Sequence, residues 1–249
     1  MGYKSIQRYV VIIVTLCYVT HFSDFTCAGT LVIEDSGFAN GDWSVRGEGT
    51  VDHAGPQSLS GTQVPIGGTP GSYRELRHEG NQFGFAPPNP LVGWHFYEAE
   101  SYSPSAGAIV SLTLTEDVLL SQGPSQSGRV ALRQDGILFR SKASYAVSVA
   151  NAWESIELMS LTATDFEAFF NGSFIPTANP DFSEGGGKII FGVYRGTAVP
   201  RNARGVYDYR TGVDNWKIAL TTEAVPEPLT ISLLAIGSAL LASCRKRSR

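Results

Sequence analysis

The chain has 249 residues, of which 43% are hydrophobic and 17% charged, a balance that excludes a disordered polypeptide and suits one large domain or two small ones. Its formal charge of −4 is uneven: outside the first eight and last five residues there are 13 bases, against 22 acids besides Asp24, so the middle carries roughly −9. So acidic a middle predicts no basic face for a phosphate backbone, and nucleic acid is not expected as a partner.

Residues 1–28 have the make-up of a secretory signal peptide. Lys4 and Arg8 supply positive charge, Tyr9–Val19 an apolar run, and Thr26-Cys27-Ala28 small residues ahead of a cleavage point. Eleven apolar residues are too few to span a bilayer. Cys17 and Cys27 fall in this leader and Cys244 near the C-terminus, so residues 29–224 hold no cysteine. Disulfides and thiolate metal sites are therefore closed to them.

From Thr30 to Thr222 short β-rich runs alternate with Gly, Pro, Ser and Asn. Val110–Thr115 alternates polar and apolar residues as a half-buried strand does. Arg129–Arg133 and Ile137–Arg140 flank Gln134-Asp135-Gly136, and Asp-Gly between two such runs predicts a hairpin. Further strands are expected over 144–149, 154–161, 166–170, 188–195 and 213–220, with some helical character over 164–170. Many short strands separated by turns predict an all-β fold, an antiparallel jelly-roll-like β-sandwich spanning 29–224. No repeat of 20–50 residues is visible, so a solenoid or propeller is not supported.

Several landmarks within this stretch are similar to laminin-IV-type and carbohydrate-binding jelly-roll modules. They are Gly37-Phe38, Asp42-Trp43, the turn Gly67–Tyr73, Trp153–Leu161 with Asp165-Phe166, and Gly212–Ile218, whose Asp214-Asn215-Trp216 matches the motif opening their last strand. The resemblance implies a lectin-like sandwich. It also implies a structural Ca²⁺ held by Asp214 together with Glu34 and Asp35 near the first strand, oxygen ligands of the kind Ca²⁺ favours. A turn or strand cap built by Asp214 and Asn215 accounts for the same residues without a metal.

Trp153 and Trp216 fall within strand patterns and are expected in the core. Trp94 follows the proline-rich stretch Ala86–Pro90 and leads into His95, Phe96 and Tyr97. Loop-borne aromatics make ligand platforms, so Trp94 and Tyr97 are the candidate glycan contacts, with cover for the core edge as the competing reading. Glu98 and Glu100 would share one face of a strand roughly 6–7 Å apart, as a glycosidase pair can, but neighbouring acids on a strand are more often simply solvated. His53, His78 and His95 show no metal-ligand spacing, and no nucleophile elbow, P-loop or dinucleotide fingerprint is present. Asn171-Gly172-Ser173 spells a glycosylation sequon. A catalytic role is not expected.

The C-terminus, residues 225–249, carries the sharpest pattern. Pro226-Glu227-Pro228 precedes an apolar run over 229–243, and Arg245-Lys246-Arg247-Ser248-Arg249 closes the chain. The prolines hold their segment extended and out of any sheet. The run is short for a membrane helix, but flanking arginines can snorkel to extend its reach, and the basic end stays cytoplasmic. This arrangement resembles the PEP-CTERM sorting signal, matching its triplet, hydrophobic helix and arginine-rich end in order. The resemblance implies an exosortase-type processing enzyme as partner and a protein held in the membrane until its tail is processed.

The sequence thus predicts an exported cell-envelope or cell-surface protein that is structural or associated with exopolysaccharide. A carbohydrate-binding module is the first alternative and a glycan-active hydrolase or lyase the second.

Overall fold

The computed structural model describes residues 29–47, 58–82, 90–198 and 205–223, so the expected signal peptide and sorting tail lie outside the described residues. Among the described residues, fourteen strands succeed one another in chain order: β1 (Gly29–Asp35), β2 (Trp43–Gly47), β3 (Ser58–Gly68), β4 (Gly71–Gln82), β5 (Pro90–Tyr97), β6 (Ile109–Gln122), β7 (Gln126–Gln134), β8 (Ile137–Ser141), β9 (Tyr145–Val147), β10 (Trp153–Leu161), β11 (Phe166–Phe170), β12 (Ser173–Ile175), β13 (Ile189–Ala198) and β14 (Gly205–Thr222).

Local chemistry explains many of the boundaries. Along β6 the side chains of Leu112, Leu114, Glu116, Val118 and Leu120 are buried in strict alternation with half-exposed neighbours. Asp135 and Gly136 both take positive φ, 52° and 80°, the turn whose twist matches two antiparallel strands, and β7 pairs with β8 across it. Asn171 and Gly172 repeat that geometry, at 48° and 79°, between β11 and β12. The sequon spelled there is the tip of a hairpin. Residues 164–170 are not helical as a whole: one 3₁₀ turn, Ala163–Asp165, is closed by a reciprocal Thr162–Asp165 capping box, and β11 begins directly after it.

The strands form two sheets. One runs β10-β6-β14-β4-β3 with β1 joined to β14, and the other runs β12-β11-β8-β7-β13-β5-β2 with β9 joined to β7. Neighbouring strands within these paths are antiparallel. Leu112, Leu114, Trp216, Ile218 and Leu220 of the first sheet pack with Trp43, Tyr97, Val130, Leu132, Phe139, Phe191 and Val193 of the second in one core. The fold is a β-sandwich, and Thr30–Thr222 forms one unit.

One part of the interior is polar. Arg195 on β13 lies beside Gly93 of β5 and Gly128 of β7. A Cβ on Gly93 would strike the His78 ring, and one on Gly128 the Tyr145 ring, so both glycines open space beside this arginine. Its guanidinium crosses to the opposite sheet, where Nη2 donates to Glu116 Oε2 at 3.0 Å; both side chains are fully buried. Nη1 donates to the Tyr145 hydroxyl at 2.5 Å, and that hydroxyl donates to Glu116. Beside it the parallel rings of His78 on β4 and His95 on β5 meet through their Nε2 atoms at 3.1 Å.

Candidate functional site

The outer face of the eight-stranded sheet brings aromatic rings and charged side chains together. In β5 the side chains of Gly93, His95 and Tyr97 point into the sandwich, so Val92, Trp94 and Phe96 stand on the other face. The registers arrange this face in rows across the strands. Arg46, Trp94, Tyr194 and Arg129 lie opposite one another on β2, β5, β13 and β7. The next row runs Ser44, Phe96, Gly192, Ala131, Arg140, Glu167. A third contains Ile190, Arg133, Leu138, Phe169 and Phe174.

Rings form the floor of this face. Trp94 meets Tyr194 edge-on at 5.0 Å and Phe169 at 5.9 Å, and Phe169 meets Phe174 at 4.8 Å. Together with Val92, Phe96, Ala131 and Leu138 they make a second apolar cluster, separate from the inter-sheet core. Arginines lie over it. The Arg140 guanidinium sits 3.1 Å from the centre of the Phe174 ring, and that of Arg133 is 5.1 Å from Phe96.

Carboxylates fix both cations. Arg133 Nη2 donates to Glu98 Oε2 at 2.6 Å while Ser44 Oγ donates to Glu98 Oε1 at 2.5 Å. Arg140 Nε donates to Glu167 Oε1 at 2.8 Å, and its Nη1 to the Tyr194 hydroxyl at 2.8 Å. Burial alone would raise the Glu98 pKa, but the hydrogen bonds from Arg133 and Ser44, with the charges of Arg133 and Arg46, hold it below the usual carboxylate value. Arg129 is pulled below the usual guanidinium range, first by burial and then by the Arg140 charge. The face is thus a fixed array of donors and acceptors over an aromatic floor, with positive charge in excess among the described residues.

No protein-family model and no curated protein matches the chain. Solved structures similar to it include a family 11 carbohydrate-binding module from Clostridium thermocellum in complex with a β-1,3-1,4-mixed-linked tetrasaccharide, at 13% identity over 80% of this chain and 99% of that one, with a TM-score of 0.43. The CBM22-1–GH10 modules of the xylanase Xyn10B from the same organism, complexed with xylohexaose, match at 11% identity over 78% of this chain and 29% of that one, TM-score 0.42. SGBP-B from a xyloglucan utilization locus of Bacteroides uniformis matches at 13% identity over 65% and 46%, TM-score 0.30. Likeness at this level assigns no function to the chain.

The candidate residues read from the sequence are not brought together as expected. Trp94 stands within β5 and is fully buried, not displayed on a loop. Tyr97 is in the same strand but on its inner face, packed against Trp43 and Trp216. The two therefore cannot share one ligand. Val92, Trp94 and Phe96 on one face and His95 and Tyr97 on the other are all buried, so β5 lacks the alternation that marks a half-exposed strand. The expected core position of Trp216 is met, while Trp153 is half-buried on the outer face of the other sheet, edge-on to Tyr73.

Among the described residues no group of three or more His, Cys, Asp or Glu side chains is placed to hold a metal, and Glu34, Asp35 and Asp214 form no such set. Asp35 accepts hydrogen bonds from the Gly37 and Phe38 amides and from Trp43 Nε1. Asp214 accepts from the amides of Thr69 and Asn215. Asn215, at φ 48°, donates through Nδ2 to Thr69 O at 2.8 Å and to Asp117 Oδ2 at 2.7 Å. Asp214 and Asn215 thus form a bulge that clips the β3–β4 turn to β14. Glu98 is tied to Arg133, whereas Glu100 lies exposed beyond the end of β5. The pairing of Arg133 and Arg140 with the aromatic floor was invisible in the sequence, since it joins the β7–β8 hairpin to β5 and β12, which lie well before and after it in the chain.

Proposed function

We propose that residues 29–224 are a non-catalytic polysaccharide-binding module carried by an exported chain. The observation that carries this reading is the ordered guanidinium and carboxylate layer over the aromatic floor. A sugar chain offers hydroxyl donors and acceptors around apolar C–H surfaces. Arg133–Glu98 and Arg140–Glu167 present both partner types side by side, on a rigid sheet whose side chains already hold one another in place. The leader and the Pro226-Glu227-Pro228 tail fit this role: the first would export the module, and the second would hold it at the cell envelope until an exosortase-type enzyme processes it.

Affinity electrophoresis of the full chain through gels containing neutral and acidic polysaccharides tests the reading. At least one polysaccharide should retard the protein, and Arg133→Ala should lessen that retardation. Arg77→Ala, which breaks an ion pair with Asp208 on the other sheet, should not. Free migration in every gel would overturn the proposal. In cells with an exosortase, replacing Pro226, Glu227 and Pro228 by alanine should leave export intact and change the size of the mature protein on a gel.

A further inference from the structure

The charge distribution on the same face narrows the class of ligand, provided that the polysaccharide-binding reading holds. Among the described residues, Arg46, Arg129, Arg133 and Arg140 stand on this face with two carboxylates, Glu98 and Glu167. Those carboxylates are used by Arg133 and Arg140. Among the described residues, Arg46 and Arg129 take part in no salt bridge. Arg129 Nη1 donates to the carbonyls of Ser141 and Lys142, and its buried Nε has no partner there. Arg46 is exposed.

These two cations, without a salt bridge among the described residues, occupy the ends of one row, with Trp94 and Tyr194 between them. Three strand spacings separate their backbones, roughly 14 Å, a span that several consecutive sugar units of one chain can bridge. The chain as a whole is acidic, so this concentration of arginine runs against its composition. A neutral glycan has no use for two surplus positive charges. A carboxylate does: Arg46 can offer its guanidinium fork to both oxygens, and Arg129, whose Nη1 is taken by carbonyls, can donate through Nη2.

We propose that the ligand is an anionic polysaccharide bearing uronate carboxylates, and that Arg46 and Arg129 select for that charge. Arg46 and Arg129 each receive a carboxylate from a different sugar of the same chain, while the Arg133–Glu98 and Arg140–Glu167 pairs engage hydroxyls between them.

The test is affinity electrophoresis of the full chain against polygalacturonate, the same polymer after methyl esterification, dextran sulfate, and a neutral mixed-linkage β-glucan. Polygalacturonate should retard the protein, and both esterification and added salt should weaken the effect, since screening acts on exposed charges. Arg46→Gln and Arg129→Gln should each lower the affinity about tenfold or more, with the melting temperature of Arg46→Gln unchanged. Equal retention by esterified polymer or β-glucan would overturn the charge assignment while leaving the binding module standing. Retention by dextran sulfate and not by polygalacturonate would overturn the carboxylate assignment. Absence of retention by all four would remove both proposals.

Discussion

Arg195 and Glu116 have lost all contact with water, and each is held in place by the other and by Tyr145. Burial pushes the Glu116 carboxyl upward and the arginine charge pulls it back. Removing one partner strands a buried charge, which costs about 3–5 kcal/mol, whereas replacing both with apolar groups can be neutral. Arg195→Met should therefore lower stability strongly, and Arg195→Met with Glu116→Leu should recover much of it, as measured by urea unfolding. The histidine pair beside them makes a second prediction. Burial, then the nearby Arg195 charge, lowers the His78 pKa from 6.5 to about 3. His95 is lowered as well, by burial and then by His78, Arg74 and Arg195. Between about 3 and 6.5 the unfolded chain binds protons that the folded chain refuses, so stability must fall as pH drops through that window. Each histidine contributes about 1.4 kcal/mol per pH unit. Between about pH 6.5 and 5 the unfolding free energy should fall, and His78→Gln should flatten the slope by about half.

At the scale of the element, β5 decides how its neighbours are used. It is covered on both sides: Trp94 and Phe96 lie beneath the arginine layer, and His95 and Tyr97 face the core. Trp94 therefore behaves as a structural residue, although its face bears the proposed ligand. Truncating a buried aromatic costs about 3–5 kcal/mol, so Trp94→Ala should depress the melting temperature about as much as Trp216→Ala. A Trp94→Ala protein that melts like the parent would show that the ring is not packed as described. The β14 bulge is a similar case. Asp214-Asn215-Trp216 resembles a metal-associated motif, yet its polar residues are spent on the β3–β4 turn while Trp216 fills the core.

For the whole molecule, the proposed export would set the constraint. A domain that works outside the reducing cytoplasm is often stapled by disulfides, but residues 29–224 have no cysteine. Stability must come from the sandwich core. A reducing agent should leave the melting curve of the protein unchanged, and a shift on adding one would reveal a cross-link through Cys17, Cys27 or Cys244. The acidic chain and the arginine-bearing face also divide the surface by charge, an arrangement that steers a polyanion toward one side and away from the rest.

The sequence by itself determined the class of fold and several strands within it. Alternation along β6 and the Asp135-Gly136 turn are local signals that need only neighbouring residues to operate. It also placed Trp216 in the core through its alternation with Ile218 and Leu220. The tertiary structure alone decided what Trp94, Tyr97, His78 and Arg195 do. Each sits in a segment whose polarity is ambiguous when read along the chain, and each takes its role from a strand in another part of the sequence. Pairing across a sheet joins Arg46 to Trp94, Tyr194 and Arg129 across intervals of 48, 100 and 65 residues. Packing between the sheets brings Glu116 within reach of Arg195, 79 residues away. Hydrophobic periodicity records which face a residue takes, but it carries no record of the partner waiting there.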